Sequence, residues 1–191
     1  MPTTIGFVSD IHGDFHALRD ALRLLDAMCV RQILCLGDVV DYGVFPDESL
    51  ALLAERAIPT LRGNHDRWCL GNKSMGTNAT DLEIASRRFL KTTVPSWSAT
   101  IEGVRVAAHH ARPENDMHGV MPDATPAELD EVLRAANADV VVVGHTHRAM
   151  EPLAAGRARP RARSRRATGG AGAVGPRVAD AARADSRFPQ P

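Results

Sequence analysis

The sequence predicts one α/β domain. Three observations carry that expectation: short apolar runs alternate with amphipathic stretches over the first 150 residues, 44% of the chain is hydrophobic, and a polar cluster follows the end of each apolar run. At 191 residues the chain is long enough to bury a sizeable core.

The elements follow in order. Ile5 to Val8 reads as a strand ending at Ser9-Asp10, and Ala17, Leu18, Ala21, Leu22, Leu25 and Met28 recur at helical steps, which predicts a helix over 15–28. Gln32 to Leu36 is a second strand, ending at Gly37-Asp38. A helix from about Asp47 to Glu55 leads to a strand at Ile58 to Leu61, which ends at Gly63-Asn64-His65-Asp66. Arg67 to Met75 reads as a loop, and Thr80 to Leu90 as a lid or cap helix. Ala99 to Glu102 and Val104 to Ala108 form a hairpin around Gly103, running into His109-His110. Thr125-Pro126-Ala127-Glu128 supplies an N-cap, a first-turn proline and a capping-box glutamate for a helix to about Ala136. Val140 to Val143 is a buried strand that delivers Gly144-His145-Thr146-His147.

Charge divides the chain in two. Residues 1–155 carry 14 Lys and Arg against 21 Asp and Glu, whereas residues 156–191 carry 9 Arg against 2 Asp. An acidic body suits cation binding and argues against a nucleic-acid surface, which needs a basic face. No run reaches the length of a membrane span, and no cleavable leader precedes the first strand, so a cytoplasmic location without membrane contact is expected. Cys29, Cys35 and Cys69 have no metal or redox spacing and read as reduced thiols.

In open α/β sheets the carboxyl ends of strands line one crevice, so five polar clusters can converge there. Asp10 and His12 stand two residues apart on an extended segment and can grip one ion. Asp38 follows a small glycine and has two oxygens with which to bridge two ions. Asn64 offers an amide oxygen, and His110, His145 and His147 offer imidazole nitrogens. This oxygen and nitrogen set without thiolate favours Mn, Fe, Zn or Ni over Ca or Mg. Taken singly, each cluster has an ordinary reading: a Gly-Asp is usually a turn, Asn64 fits a left-handed turn, and a lone strand-end histidine is usually a surface residue. Those readings leave unexplained why five strand ends carry the same kind of residue.

The strings DIHGD, GDVVDYG, GNHD, an HARP segment after a strand, and GHTH occur in the order and approximate spacing of the calcineurin-like metallophosphoesterase superfamily. From residue 4 to about 152 the chain resembles that superfamily, and most of all its small prokaryotic phosphoesterases and phosphodiesterases. The resemblance implies a four-layer αββα sandwich of two mixed sheets flanked by helices. It implies that Asp10, His12, Asp38 and His147 hold one metal and Asp38, Asn64, His110 and His145 a second. The neighbour His109 remains an alternative to His110. It further implies hydrolysis through a hydroxide bridging the two metals, most of all Mn, with His65 as the catalytic acid oriented by Asp41. Asn64, His65 and Arg112 would contact the substrate phosphate, although Arg112 could equally sit at the rim. Asp66 is expected to support its loop, and His16 and His118 to lie on the surface.

Two departures narrow these expectations. Asp41-Tyr42-Gly43 replaces the D-R-G of phosphoprotein phosphatases, which points to a phosphomonoester or phosphodiester of a small molecule or nucleotide. After Pro152 the superfamily's N-P-G-S turn and returning strands are not visible, so the C-terminal strands are expected to be missing. Residues 156–191 are instead rich in Ala, Arg, Gly and Pro, and are expected to be a disordered tail outside the 1–155 domain. A GC-rich gene read out of frame near residues 154–158 would yield this mixture; alternatively the tail is a basic arm, the only place where nucleic acid would bind. The competing function is a catalytically impaired metal-binding or scaffold protein. The oligomeric state is not written in these patterns.

Overall fold

The computed structural model describes residues 3–148 and the backbone of residues 177–180. In chain order the elements are β1 (Ile5–Val8), α1 (Phe15–Ala27), β2 (Gln32–Cys35), α2 (Pro46–Glu55), α3 (Asn64–Leu70), α4 (Ile84–Thr92), β3 (Ser96–Ile101), β4 (Val104–His109), α5 (Pro126–Ala135), β5 (Val140–Val143) and β6 (Arg177–Asp180).

Local chemistry starts and stops these elements where the sequence signals do. The Asp14 carboxylate accepts a hydrogen bond from Ala17 N–H at 3.0 Å and so caps α1. At α5 the Thr125 hydroxyl accepts from Glu128 N–H at 3.3 Å, and the Glu128 carboxylate accepts from Thr125 N–H at 2.8 Å, with Pro126 in the first turn. The β3–β4 turn places both Glu102 and Gly103 at positive φ, the conformation that suits the twist of a two-residue hairpin.

Two sheets result. β1 and β2 pair in parallel with Ile5 opposite Gln32, while the second sheet runs β3-β4-β5-β6, antiparallel at β3–β4 and parallel after that. Strand periodicity sorts the side chains into layers. Val8 and Cys35 pack with Leu18, Leu22, Leu50, Leu53 and Leu90 of α1, α2 and α4. Phe7, Leu34, Ala108, Val140 and Val142 fill the space between the sheets with Leu36, Leu61 and Trp97. Ala107, Val141 and Val143 face Leu129, Val132 and Leu133 of α5. The order is therefore helices, sheet, sheet, helix: the four-layer αββα arrangement.

Several elements differ from the expectation. Ile58 to Leu61 is extended but makes only single bridges, Thr60 with Cys35 and Leu61 with Val94. Pro59 has no N–H, so a ladder cannot run through it. Arg67 to Leu70 is helical rather than loop, as part of α3. α4 begins at Ile84, because Asn78 and Asp81 close a turn before it. Its Leu90 is fully buried, so α4 is a core helix and not a lid. Within the segment expected to be a disordered tail, β6 lies parallel to β5 with Val140 opposite Arg177 and covers a sheet edge whose backbone groups need partners. The rest of that segment, with residues 149–155 and the supposed frame change, lies outside the described residues.

Candidate metal centre

The loops after β1 and β2 are laced together before any side chain is considered. Asp10 N–H donates to Gly37 C=O at 3.0 Å, His12 N–H to Asp38 C=O at 2.9 Å, and Gly13 N–H to Val39 C=O at 2.8 Å. Asp66 ties in the third segment. Its carboxylate, fully buried, accepts from the N–H groups of Asp38 (2.8 Å), Val39 (2.9 Å) and Gly63 (3.0 Å). Gly63 has no room for a Cβ, which would overlap the Asp38 carboxylate. Asp66 thus supports the loop in the way the sequence suggested.

Backbone conformation marks the same place. Asp10, His12, Asp38, Asp41, Tyr42, His145 and His147 all have positive φ, between 49° and 79°. Such non-glycine residues are uncommon, and their concentration at one spot indicates strain held by the surrounding structure for function.

All seven proposed ligands converge here. Asp10, His12 and His147 present ligand atoms within 4.8 Å of one another, as do Asp38, His110 and His145. The Asn64 amide oxygen is 3.0 Å from both His110 Nε2 and His145 Nδ1. His110 belongs to the cluster and is 2% exposed, whereas His109 ends β4 opposite Ser96 and is outside it. His16 and His118 are exposed and belong to neither group of clustered donors.

The donor chemistry fits divalent metal. His12 Nδ1 lies 3.1 Å from Val40 C=O and His110 Nδ1 3.1 Å from Leu36 C=O. A carbonyl only accepts, so both Nδ1 atoms carry hydrogen and both Nε2 lone pairs face the cluster. There His110 Nε2 meets an Asp38 oxygen at 3.1 Å, and His12 Nε2 meets His147 Nε2 at 3.1 Å. Lone pairs so close repel unless a proton or a cation lies between them. The protonation equilibria carry the same signature. Burial would lower His110, but the Asp38 charge and hydrogen bond overcome it and raise the imidazole to about 9. Burial would raise Asp10, but the His147 hydrogen bond and the His110 charge hold it below the usual carboxylate range. For His12 burial prevails, lowering it to about 4.

Beside these groups stands a second set. His65 Nδ1 is 2.7 Å from an Asp41 oxygen, so the proposed acid and its orienting carboxylate are joined. Sequence reasoning missed what holds Asp41. Ser74 Oγ donates to it at 2.6 Å and Thr77 N–H at 2.6 Å, from a segment more than 30 residues away whose only hint was its Gly, Asn and Ser content. Gly76 passes so near that a Cβ would overlap the Asp41 carboxylate. Burial raises Asp41, but the His65 and Ser74 hydrogen bonds outweigh it, leaving its pKa lowered.

Asp38, Asn64, His65, His145 and His147 open into a cleft of about 630 Å³, within the range of small-molecule sites. Arg112 does not line it. Its guanidinium turns toward Glu128, at 3.7 Å, because the Arg112–Asn115 bridge closes the chain just after β4 and directs it to the start of α5. The expected substrate contact from Arg112 is therefore absent from this cleft.

Residues 4–166 match the model of the calcineurin-like phosphoesterase superfamily domain. The chain belongs to this superfamily. An uncharacterized protein of Methanocaldococcus jannaschii is 29% identical over 154 residues, covering 75% of the chain and 62% of that relative. Among solved structures, a metallophosphoesterase from Sphaerobacter thermophilus superposes with a TM-score of 0.64 at 24% identity, over 81% of this chain and 64% of that one. A hypothetical protein from Pyrococcus horikoshii superposes with a TM-score of 0.65 at 15% identity, over 78% and 72%. The chain thus spans less than two-thirds of the length of the Methanocaldococcus and Sphaerobacter proteins. These superpositions are of the fold: the two sheets and flanking helices are those of the calcineurin-like superfamily. Among the described residues no helix is long and apolar enough to cross a membrane.

Proposed function

We propose that the chain is a metal-dependent phosphoesterase that cleaves a phosphomonoester or phosphodiester of a small molecule or nucleotide. The observation that carries this reading is the pair of donor groups, Asp10/His12/His147 and Asp38/His110/His145, set side by side at the floor of one cleft. Asp10, His12, Asp38 and His147 would hold one divalent cation and Asp38, Asn64, His110 and His145 another. Mn is favoured and Fe, Zn or Ni would also suit these donors. When bound, the cations supply Lewis-acid polarisation of the phosphoryl group and acidify water for attack.

The chain's own residues do the rest. Asp41 holds His65 Nδ1–H, which leaves Nε2 to deliver a proton to the departing oxygen. Asp66 fixes residues 38–40 and 63, and with them the angle between Asp38 and His65. The histidine partners Leu36 C=O and Val40 C=O keep the lone pairs of His110 and His12 aimed inward.

The test is an assay of metal-stripped protein with Mn restored, on a chromogenic monoester and the matching diester. Turnover should return with Mn. It should fall by about a hundredfold or more in His65→Ala and vanish in Asp38→Asn. If the Mn-loaded protein cleaves neither ester, or Asp38→Asn retains full turnover, the reading is wrong; metal binding without turnover would favour the scaffold alternative.

A further inference from the structure

Asp41 and Tyr42 are consecutive left-handed residues, at φ 79° and 58°. A bulky aromatic residue seldom adopts this conformation unless something fixes it. Burial does not explain it, since Tyr42 is 76% exposed. The ring is nevertheless placed: its centroid lies 4.7 Å from that of His12 and 4.9 Å from that of His65. Trp68 meets His65 from another side, edge-on at 4.8 Å. The Arg67 guanidinium sits over the Trp68 ring and is bonded to Asp116 at 2.7 and 2.9 Å, which ties α3 to the segment carrying Met117. Tyr42, Trp68, Met117 and Arg148 all line the 630 Å³ cleft whose floor holds the donor groups.

A phosphoryl group alone would leave most of that volume unfilled. Any leaving group that takes a proton from His65 Nε2 must lie beside this imidazole, and so beside the rings that touch it. We propose that Tyr42 and Trp68 form a stacking subsite for a planar aromatic group on the leaving side of the phosphoester. This deepens the hydrolase reading, on which it rests only for which side is the leaving side. The chemistry is suited to the task. Aromatic rings stack on any planar π-face, and nucleobase stacking on such side chains tolerates different bases. The Met117 thioether packs favourably against ring edges, and the Arg148 guanidinium stacks on or attracts a π-face. An aliphatic ester would offer these groups no π-face.

Equilibrium dialysis of the Mn-loaded full chain against the phosphonate analogues of AMP, phenyl phosphate and ribose 5-phosphate, in which carbon replaces the bridging oxygen so that nothing is cleaved, tests this without turnover; each analogue is called by the name of its parent ester. AMP or phenyl phosphate should bind about tenfold more tightly than ribose 5-phosphate. That preference should fall to about twofold or less in Tyr42→Ala and persist in Tyr42→Phe; because Tyr42 is exposed, neither change threatens folding. AMP ahead of phenyl phosphate identifies a nucleobase, and the reverse identifies an aryl ester; both support the subsite. Equal affinity for all three, or a preference that survives Tyr42→Ala, overturns it. A protein that cleaves esters without aromatic preference refutes the subsite alone, and one that prefers AMP through Tyr42 but cleaves nothing refutes the hydrolase reading alone.

Discussion

The two ends of the β-layers use the same backbone conformation for different purposes. At the carboxyl ends, seven residues with positive φ carry or adjoin the donor side chains. The other five such non-glycine residues among those described are Cys29, Ala57, Asn72, Glu102 and Asn137. Four of these stand just past α1, α2, α3 and α5, and Glu102 is in the hairpin turn. After all four helices the bond of a left-handed helix stop is made: Val30 N–H to Leu25 C=O, Ile58 N–H to Leu53 C=O, Lys73 N–H to Trp68 C=O, and Ala138 N–H to Leu133 C=O. At the amino ends of β1 and β2 lies a larger cleft of about 830 Å³ bordered by Asp26, Arg31, Arg56 and Trp97, where no group of clustered metal donors is found among the described residues. The difference teaches that neither cavity size nor backbone strain alone locates the chemistry. What distinguishes the carboxyl end is strain together with buried, mutually repelling donors.

That contrast can be broken deliberately. The largest effect is expected from Asp66→Ala, which strands the buried N–H groups of Asp38, Val39 and Gly63. At about 1–3 kcal/mol for each unsatisfied group, urea unfolding should show a loss of about 4 kcal/mol or more. Asp26→Ala at the amino end should leave the urea midpoint nearly in place. Next comes a pair of glycines. Gly63→Ala pushes a methyl group into the Asp38 carboxylate and should weaken Mn binding, measured by calorimetry, by about a hundredfold. Gly103→Ala meets no atom within 4 Å and should cost only about 1 kcal/mol, for its φ of +83°. Third, Ser74→Ala removes the hydroxyl bonds to Asp41 and should lower kcat about tenfold, less than the roughly hundredfold or more that general acid catalysis itself contributes. The loss should be greater for an alkyl ester than for a nitrophenyl ester, whose leaving group needs no proton.

The smallest effect concerns pH. The Arg56 hydrogen bond holds the exposed Asp26 carboxyl below its ordinary value. Its contribution is present above the unfolded carboxyl pKa of about 4 and is lost as pH falls through the lower folded value. Arg56→Gln should therefore narrow the difference between urea midpoints at pH 7 and pH 3.

Much of this architecture could be read from the chain because the signals were local. Thr125 and Glu128 announced the start of α5, the spacing of Ala17, Leu18, Ala21, Leu22 and Leu25 announced α1, and the run from Val140 to Val143 announced a buried strand. The donor residues were legible because each follows an apolar strand or an extended segment. What escaped reading depends on distant partners. Arg67 to Leu70 of α3 looked like loop because the carboxylate that stabilises the first turn of that helix, Asp66, also serves residues 38–40. Ser74 and Thr77 reach back to Asp41 with no periodicity to betray them. Pro59 allowed an extended run but forbade a ladder, and Arg112 faces Glu128 of α5 instead of lining the cleft. β6 has few apolar residues, and its place is set by an edge that β5 leaves open.

Asp66 has a consequence for anyone who would redesign this protein. By fastening residues 38–40 to residue 63, it turns two stretches of chain into a cassette that must be transplanted or retained whole. Side chains that line the cleft from outside that cassette, such as those at 42, 68 and 117, are not held by the Asp66 bonds. New ester preferences can therefore be sought at the rim while the donor floor is inherited unchanged.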